Sequence, residues 1–532
     1  MFSVVTSESR STASTRGEKG LRKGALGFVD SVSIGVASTG PAYSIAATLG
    51  FVAAAVAWQA PVVVLLAFVP VLFAAFGYDA LNRAEPDAGT SFVWVSRAFG
   101  IPWGWMAGWA IVVADVLVMA SLAQVASQYT FILLGSDIGS DPHHPVVLLL
   151  GVGFILCLTW LAVRGILLTA KLQVVLVVIE TVVLLGFAVA ALIRVYNGTA
   201  LPQSQPVSWD WFNPFAVSDP SALVTGVLLM VFIYWGWDSV LSVNEETKDS
   251  HRTPGMAALC STVILVSVYV LFTVAAQAFA GVSDEGLGLA NPDNADDVVA
   301  ALGGAVFGDS IAGQIAVAAL VVMVLTSATA STQTTILPTA RTTFAMAFHG
   351  ALPKAFGRAH PRFATPHFST WTMGLLSAAI YVAMDLFGGG AMVLDAVAAC
   401  GVAIGFYYGL TALASARLYS GVRLRPELAA TGRSGGVDLR RVVLPAIGGV
   451  LLIAASAWTA IASFAPDFGE GVWRVPILDV EVGAVFILGV GGMALGLPLL
   501  WWARRTMPAF TTSRFERQLP PSPDHVAGEV RD

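Results

Sequence analysis

The chain has 532 residues, of which 56% are hydrophobic and only 12% are charged. Soluble domains carry about 25% charged residues, so this composition excludes a soluble enzyme, a nucleic-acid-binding protein and a disordered chain. The net charge of −6 is ordinary, and the three cysteines form no paired motif of the kind that disulfide frameworks or zinc sites use. The composition indicates an all-α polytopic protein embedded in a lipid bilayer.

Twelve apolar stretches are each long enough to cross a bilayer as a helix, which takes about 20 residues. They are continuously apolar rather than alternating, so a transmembrane β-barrel is excluded. We number them span 1 to span 12 in chain order. The predicted spans are 25–51, 58–80, 103–133, 146–163, 168–193, 221–243, 255–281, 310–338, 367–386, 391–416, 442–464 and 478–503.

The distribution of basic residues predicts how these spans are oriented. If the N-terminus lies in the cytosol, 26 of the 28 Lys and Arg residues fall in cytosolic segments, and Arg194 and Arg474 fall outside. An excess of basic residues is typical of cytosolic loops. We therefore expect a multi-pass protein of the cell membrane with both termini in the cytosol.

Two of the predicted spans are interrupted in the middle. Span 1 contains the pair Gly40-Pro41, and span 6 contains Gly236 between tryptophans. A proline removes a helix hydrogen bond but suits the first turn of a new helix, whose positive dipole end can bind a carboxylate. Interrupted spans at corresponding positions of two halves indicate a transporter's substrate site. The alternative is a kink that only helps the helices to pack.

We expect a small-molecule substrate to bind between the two breaks. The tyrosine and tryptophan side chains are the expected aromatic walls, although aromatic residues at this depth also pack without a ligand. Asp238 has two interpretations, because it could bind a substrate ammonium group or cap the inner half of span 6. The candidate substrate-binding residues are Ser38, Thr39, Gly40, Tyr43, Tyr234, Trp235, Gly236, Trp237 and Asp238.

Three acidic residues lie well inside spans, namely Asp115 in span 3, Glu180 in span 5 and Asp238 in span 6. An acid at the bilayer centre costs roughly 2.5–3.5 kcal/mol on insertion scales, so each should face a cavity or a partner. We expect Asp115 to do no more than line the cytosolic vestibule.

Three segments between spans carry signature residues, in the order expected for one known group of transporters. The first follows span 2, the second follows span 6 and the third follows span 8. Their residues are Tyr78, Leu81, Asn82, Arg83, Pro86, Ala88, Gly89, Phe92, Trp94, Arg97 and Gly100; then Glu245, Glu246, Lys248, Arg252 and Pro254; then Arg341, Phe344, Ala345, Met346, Ala347, Gly350, Leu352, Pro353, Thr365 and Pro366. Over about residues 20–503 the chain resembles bacterial permeases of the amino acid–polyamine–organocation superfamily.

The resemblance implies a LeuT-type fold, in which spans 1–5 and 6–10 form inverted repeats and spans 11 and 12 are peripheral. Many members carry Gly-Ser-Gly at the span 1 break, where this chain has residues 36–38, and Asp where this chain has His349. The expected organisation is a disordered tail (1–23), the first repeat (24–194), an outer loop (195–220), the second repeat (221–417), a cytosolic loop (418–441), spans 11 and 12 (442–503) and a second tail (504–532).

The resemblance also points to residues that couple transport to an ion. Glu180 lies 15 residues after Gly165, where some proton-coupled members have a lysine, so it is a candidate to carry the coupling proton. The alternative is a protonated acid that bonds to a neighbouring helix. Ser331 and Thr332 of span 8 could complete a sodium site with span 1 carbonyls, or bond back to their own helix. H⁺ or Na⁺ would be the coupling ion, and no other cofactor is expected.

The sequence thus predicts a secondary active permease for an amino acid or related organic amine, working by alternating access. The alternatives are an exchanger for a polyamine or another organic solute and, less favoured, a solute sensor that does not transport. The chain has neither a phosphate-binding loop nor an HExxH zinc motif, so we do not expect an enzyme.

Overall fold

The structure is a computed structural model that describes residues 19–217, 219–295, 297–388, 391–420, 438–466, 468–469, 471–475, 480–507 and 510. This part of the chain is almost entirely helical. The first seven helices are α1 (Phe28–Thr39), α2 (Pro41–Val56), α3 (Ala60–Ala84), α4 (Ser91–Phe99), α5 (Ile101–Leu133), α6 (Pro145–Arg164) and α7 (Ile166–Tyr196). The next eight are α8 (Pro220–Ile233), α9 (Ser239–Ser242), α10 (Thr253–Ala280), α11 (Pro292–Ala295), α12 (Val298–Phe307), α13 (Ile311–Phe348), α14 (His367–Gly388) and α15 (Ala391–Ser420).

The C-terminal part of the described chain adds two further helical regions and a short hairpin. Its helices are α16 (Leu444–Ala462), α17 (Ala484–Phe486), α18 (Gly492–Ala494) and α19 (Gly496–Thr506), with π-helical turns at Leu439–Val443 and Ile487–Gly491. The strands β1 (Val472–Val475) and β2 (Val480–Gly483) pair antiparallel. Short 3₁₀ turns lie at Ala57–Gln59, Asp137–Ser140, Trp209–Phe212, Pro214–Ala216 and Asn244–Glu246.

Within the described residues, ten helical segments are long and apolar enough to cross a membrane. One of these, the 57-residue segment Phe28–Ala84, contains α1, α2 and α3 in succession. Helices α8, with 14 residues, and α12, with 10 residues, are apolar but shorter. Helix α5 is central, because it packs against both α13 and α15, whereas α1 packs against α7 and α10.

Both predicted interruptions are present in the fold. Helix α1 stops at Thr39 because Gly40 adopts the left-handed conformation, with φ 53° and ψ 64°, and Pro41 then opens α2. Helix α8 stops at Ile233 and α9 begins at Ser239. The five residues between them are not helical, and Gly236 has a φ of 115°.

Hydrogen bonds join the chain before α1 to the segment after α9. The backbone N–H groups of Ala25 and Leu26 donate to the Glu246 carbonyl at 2.7 and 3.1 Å, and Lys248 N–H donates to the Leu26 carbonyl at 2.9 Å. We call this set of three bonds the backbone bridge. Leu21, which precedes these residues in the chain, is buried. The disorder predicted for residues 1–23 therefore does not extend to residues 19–23, and residues 1–18 lie outside the described residues.

Charged side chains close the same end of the bundle, which is called here the basic end because Lys19, Lys248 and Arg341 lie there. Lys19 Nζ pairs with Asp87 at 2.7 Å and with Glu245 at 2.6 Å, and His349 Nε2 lies 3.3 Å from Asp87. Burial works against both charges in the Lys19–Asp87 pair. The attraction between the opposite charges outweighs the effect of burial. The pKa of Lys19 is therefore raised, and the pKa of Asp87 is held well below its usual value.

Two predicted span boundaries do not coincide with the ends of the helices. Span 8 was expected to end at 338, but α13 continues through Pro338 to Phe348. The helix tolerates this proline because other groups satisfy the freed backbone. The N–H group of the next residue, Thr339, donates to Asp115 Oδ2 at 3.0 Å. Span 12 was expected to begin at 478, but residues 480–483 form β2 and the helix begins at Ala484. Valines that alternate with other residues favour a strand here.

Two of the predicted connecting segments fall mainly outside the described residues. The predicted loop 418–441 covers residues 421–437, and most of the predicted tail 504–532 lies after residue 510. Helix α15 ends at Ser420, and the next described residue is Asp438. The expected domain boundaries therefore stay predictions.

Candidate functional site

The two interrupted spans touch each other at their breaks. A Cβ atom added to Gly236 would lie 2.7 Å from the Ser38 carbonyl oxygen, and one added to Gly40 would lie 3.1 Å from Ser331 Cβ. The hydroxyls of Ser38 and Ser239 are 2.6 Å apart. The candidate residues of spans 1 and 6 therefore come together, because glycine lets the two backbones approach this closely.

The first turn of α2 has no backbone N–H group left over. Pro41 has none, Ala42 N–H donates to Glu180 Oε1 at 2.6 Å, and Ser44 N–H donates to the Gly40 carbonyl at 2.8 Å. Tyr43 N–H donates to the Ser327 hydroxyl at 3.3 Å. This helix end was expected to bind a carboxylate of the substrate. In the structure the carboxylate at the helix end belongs to Glu180.

Glu180 lies on α7 and is 1% exposed. Its Oε1 atom accepts two hydrogen bonds, the one from Ala42 and one from the Ser327 hydroxyl at 2.6 Å. Its Oε2 atom is buried and has no hydrogen-bond partner among the described residues. Glu180 therefore connects span 5 with spans 1 and 8, and one of its oxygens keeps its full acceptor capacity.

Hydroxyl groups occupy the carbonyl end of α1. Ser331 donates to the Ser38 carbonyl at 2.9 Å, and Ser44 donates to the Thr39 carbonyl at 2.6 Å. Thr332 instead donates to Ala328 of its own helix at 2.7 Å. Of the two residues proposed for a sodium site, Ser331 reaches span 1 and Thr332 does not. The described residues contain no cluster of three His, Cys, Asp or Glu side chains that could hold a metal ion.

Asp238 is bound by two tyrosines of α15. Tyr408 donates to Asp238 Oδ1 at 2.7 Å and accepts from Gly236 N–H at 3.1 Å. Tyr407 donates to Oδ2 at 3.2 Å and accepts from Trp235 Nε1 at 2.8 Å. Asp238 stands at the N-cap position of α9, but its side chain makes no capping bond. The capping interpretation is therefore wrong.

The sequence analysis missed Tyr407 and Tyr408. Their signal was two adjacent tyrosines in the middle of span 10, next to Gly409 and close to Gly405. A phenolic hydroxyl buried in a membrane helix needs a partner, and a mid-span acid is the obvious one. Neither residue identifies its partner from sequence alone, because the acid lies about 170 positions away.

The other predicted aromatic residues differ in their surroundings. Trp237 is buried against Tyr78 and Tyr408, with ring centroids 5.1 and 5.2 Å apart, and its Nε1 has no partner in the described chain. Tyr43 reaches the Ser121 hydroxyl at 2.7 Å. The Tyr234 hydroxyl donates to a carbonyl of α3 at 3.0 Å, which indicates a packing role.

Asp115 does not line a vestibule as expected. It is 2% exposed and accepts from both the N–H group and the hydroxyl of Thr339, at 3.0 and 2.5 Å. The prediction was wrong because Thr339, the partner of Asp115, was expected to lie beyond the end of span 8. In the structure Thr339 follows a proline inside α13.

Comparison with known proteins gives a family match over most of the chain. A family model described as amino acid permease matches residues 26–480. The chain is 24% identical over 329 residues to the methylthioribose transporter of Bacillus subtilis (strain 168), covering 59% of this chain and 65% of that relative, slightly less than two thirds of its length.

Two further relatives are also transport proteins. The branched-chain amino acid permease BcaP of Bacillus subtilis (strain 168) is 24% identical over 388 residues, covering 69% of this chain and 76% of the relative. The low-affinity putrescine importer PlaP of Escherichia coli (strain K12) is 25% identical over 363 residues, covering 67% and 74%. The three names thus describe transporters of chemically different organic solutes.

Proposed function

Because the chain belongs to the amino acid permease family of the amino acid–polyamine–organocation superfamily, we propose that it carries an amino acid or related organic amine across the cell membrane by alternating access. It is a membrane transport protein and not an enzyme. The named relatives act on methylthioribose, branched-chain amino acids and putrescine. Since these share no single substrate, the solute has to be inferred from the site.

Twelve spans in a LeuT-type arrangement are the architecture that this proposal requires. The segment Phe28–Ala84 has 57 residues. As one helix it would measure roughly 85 Å, far more than the about 30 Å of a bilayer core, so we count it as two crossings. Helices α8 and α9 together form a further, broken crossing. The basic end then faces the cytosol, together with both termini.

The observation that carries the proposal is the contact between the two breaks. The last turn of α1 meets the unwound backbone of span 6 at Ser38 and Gly236. A buried carboxylate stands beside each break, Glu180 at the first and Asp238 at the second. Discontinuous helices of this kind form substrate sites at the midplane of carriers. A packing kink requires neither the matched positions nor the paired acids.

A proton is the coupling ion that the site favours, and Glu180 Oε2 is the atom that would hold it. This oxygen is buried and without a partner in the described chain, so a proton there removes a buried charge without breaking a hydrogen bond. The alternative is Na⁺ near Ser331 and the Ser38 carbonyl. Thr332 does not favour it, because its hydroxyl is turned to its own helix.

Counterflow in vesicles tests the proposal. Vesicles that contain the wild-type protein and are preloaded with an unlabelled amino acid or amine should take up the labelled solute saturably. Gly236→Ala should abolish this, because the new methyl carbon would lie 2.7 Å from the Ser38 carbonyl at a φ of 115°. Gly186→Ala is the matched control, since a Cβ there meets nothing within 4 Å.

Membrane level and monodispersity after extraction show whether each variant is folded. Failure of the wild type to exchange any amino acid or amine, or wild-type exchange by Gly236→Ala, would contradict the proposal.

A further inference from the structure

We propose that the transported solute is an organic cation without a carboxylate, that is, an amine or polyamine, and that Glu180 excludes the amino acid counterparts. This inference rests on the proposed function and narrows its substrate class. It follows from three features of the site: the filled helix end, the balance of buried charge and the free acceptor capacity of Asp238.

The filled helix end leaves no place for a substrate carboxylate. An α-carboxylate would need N–H donors at the start of α2, but Glu180 Oε1 already accepts from Ala42 and the Ser327 hydroxyl accepts from Tyr43. Protonation of Glu180 at Oε2 leaves these bonds in place. A substrate carboxylate would therefore have to displace a side chain that already satisfies the same donors.

The buried charge around the breaks is entirely acidic. Among the described residues, no Lys or Arg forms an ion pair with Asp115, Glu180 or Asp238. A zwitterionic amino acid would bring another carboxylate into this region, whereas an amine brings only positive charge. Three aromatic residues, Trp235, Trp237 and Tyr408, lie around Asp238. Aromatic rings attract cations.

The Asp238 carboxylate retains unused capacity to accept hydrogen bonds from an ammonium group. Each of its two oxygens accepts one hydrogen bond from a tyrosine, at 2.7 and 3.2 Å. A carboxylate offers about four acceptor positions, so about two are left for the solute. Tyr407 and Tyr408 hold the carboxylate in place while leaving its charge uncompensated, which is the arrangement a cation-binding acid needs.

Pairs of compounds that differ only by the α-carboxylate test this inference on the wild-type protein. The pairs are putrescine and ornithine, cadaverine and lysine, and isoamylamine and leucine. Binding is measured as thermal stabilisation of the purified protein over a range of ligand concentrations. We expect at least one amine to bind at least tenfold more tightly than its parent amino acid. If no amine binds at least tenfold more tightly than its parent amino acid, the inference is overturned.

Two variants test the part assigned to Glu180. Glu180→Ala frees the Ala42 N–H group and should reduce the preference for the amine at least tenfold. Asp115→Asn removes one buried acid without opening the helix end, so it should reduce the preference for the amine by less than Glu180→Ala does. Unaltered preference in Glu180→Ala would overturn the role of this residue, and the wild-type pairs decide the substrate class even where a variant does not fold.

The outcomes separate this inference from the proposed function. Binding and counterflow of amino acids alone would overturn the inference and leave the permease intact. Absence of binding and counterflow for every compound of both classes would overturn both.

Discussion

Replacing Glu180 by glutamine would separate the charge of this side chain from its hydrogen bonds. The amide oxygen can still accept from Ala42 N–H and from the Ser327 hydroxyl, both of which lie 2.6 Å from Oε1. Hydrogen bonds to a charged group contribute about 1.5–3 kcal/mol and neutral ones about 0.5–1.5 kcal/mol, so the change weakens each bond by about 1 kcal/mol. Removing a buried charge offsets this loss, and we expect the variant to fold.

The transport consequence of Glu180→Gln is larger than the structural one. One pH unit corresponds to about 1.4 kcal/mol per proton, which is a tenfold concentration ratio. If one proton moves with each solute, the wild type should accumulate solute about tenfold across one pH unit at zero membrane potential. Glu180→Gln should show no accumulation but should keep exchange, because exchange moves no net proton.

Vesicles with a clamped potential and a labelled solute measure both quantities in one preparation. Asp115→Asn serves as the control, because it neutralises a buried acid that is bonded to Thr339 rather than to the span 1 break. If Glu180→Gln still accumulates solute about tenfold with wild-type pH dependence, Glu180 is a packing residue. Replacing the pH gradient by a sodium gradient would then examine the site near Ser331.

Three further predictions concern other parts of the chain. Cysteine at position 290 should react with an impermeant reagent from outside, and at positions 250 and 355 only after permeabilisation; outside labelling at 355 would contradict the proposed orientation. Tyr408→Phe leaves the Gly236 N–H group and Asp238 Oδ1 without this partner, which costs about 1–3 kcal/mol, so solute binding should weaken roughly tenfold or more. The control Tyr381→Phe removes a hydroxyl that has no partner in the described chain, and this variant should bind the solute normally. Asp297 caps α12, and burial raises its pKa to about 6. Thermal stability should therefore fall as pH rises from about 4 to about 6, and Asp297→Asn, which keeps the cap, should remove this fall. An identical pH profile for the variant would refute the assignment.

The helix breaks could be predicted from sequence because their causes are local. Gly40-Pro41 favours a helix break in mid-span, because proline lacks the N–H group that a helix needs and glycine readily adopts a positive φ. Gly236 provides the positive φ that the turn after α8 requires. The acids were recognised for an equally general reason, since a carboxyl group inside a membrane helix needs a partner. Neither inference depends on knowing which helices are neighbours.

The partners of these acids could not be predicted, because they depend on packing between distant segments. Glu180 lies 138 positions from Ala42 and 147 from Ser327, and no feature of span 5 identifies either of them. The expected helix-end site for a substrate carboxylate was sound for span 1 alone. It did not anticipate that another helix would supply a carboxylate to the same N–H group.

The backbone bridge limits the ways in which the basic end can open. It ties the start of α1 to the segment after α9, while the Ser38 and Ser239 hydroxyls tie the other ends of the same two helices. A swing of α1 away from the bundle must therefore carry α9 with it or first rupture bonds at both ends. The two inner half-helices, α1 and α9, should therefore move as one unit, with Gly40 and Gly236 as the hinge residues.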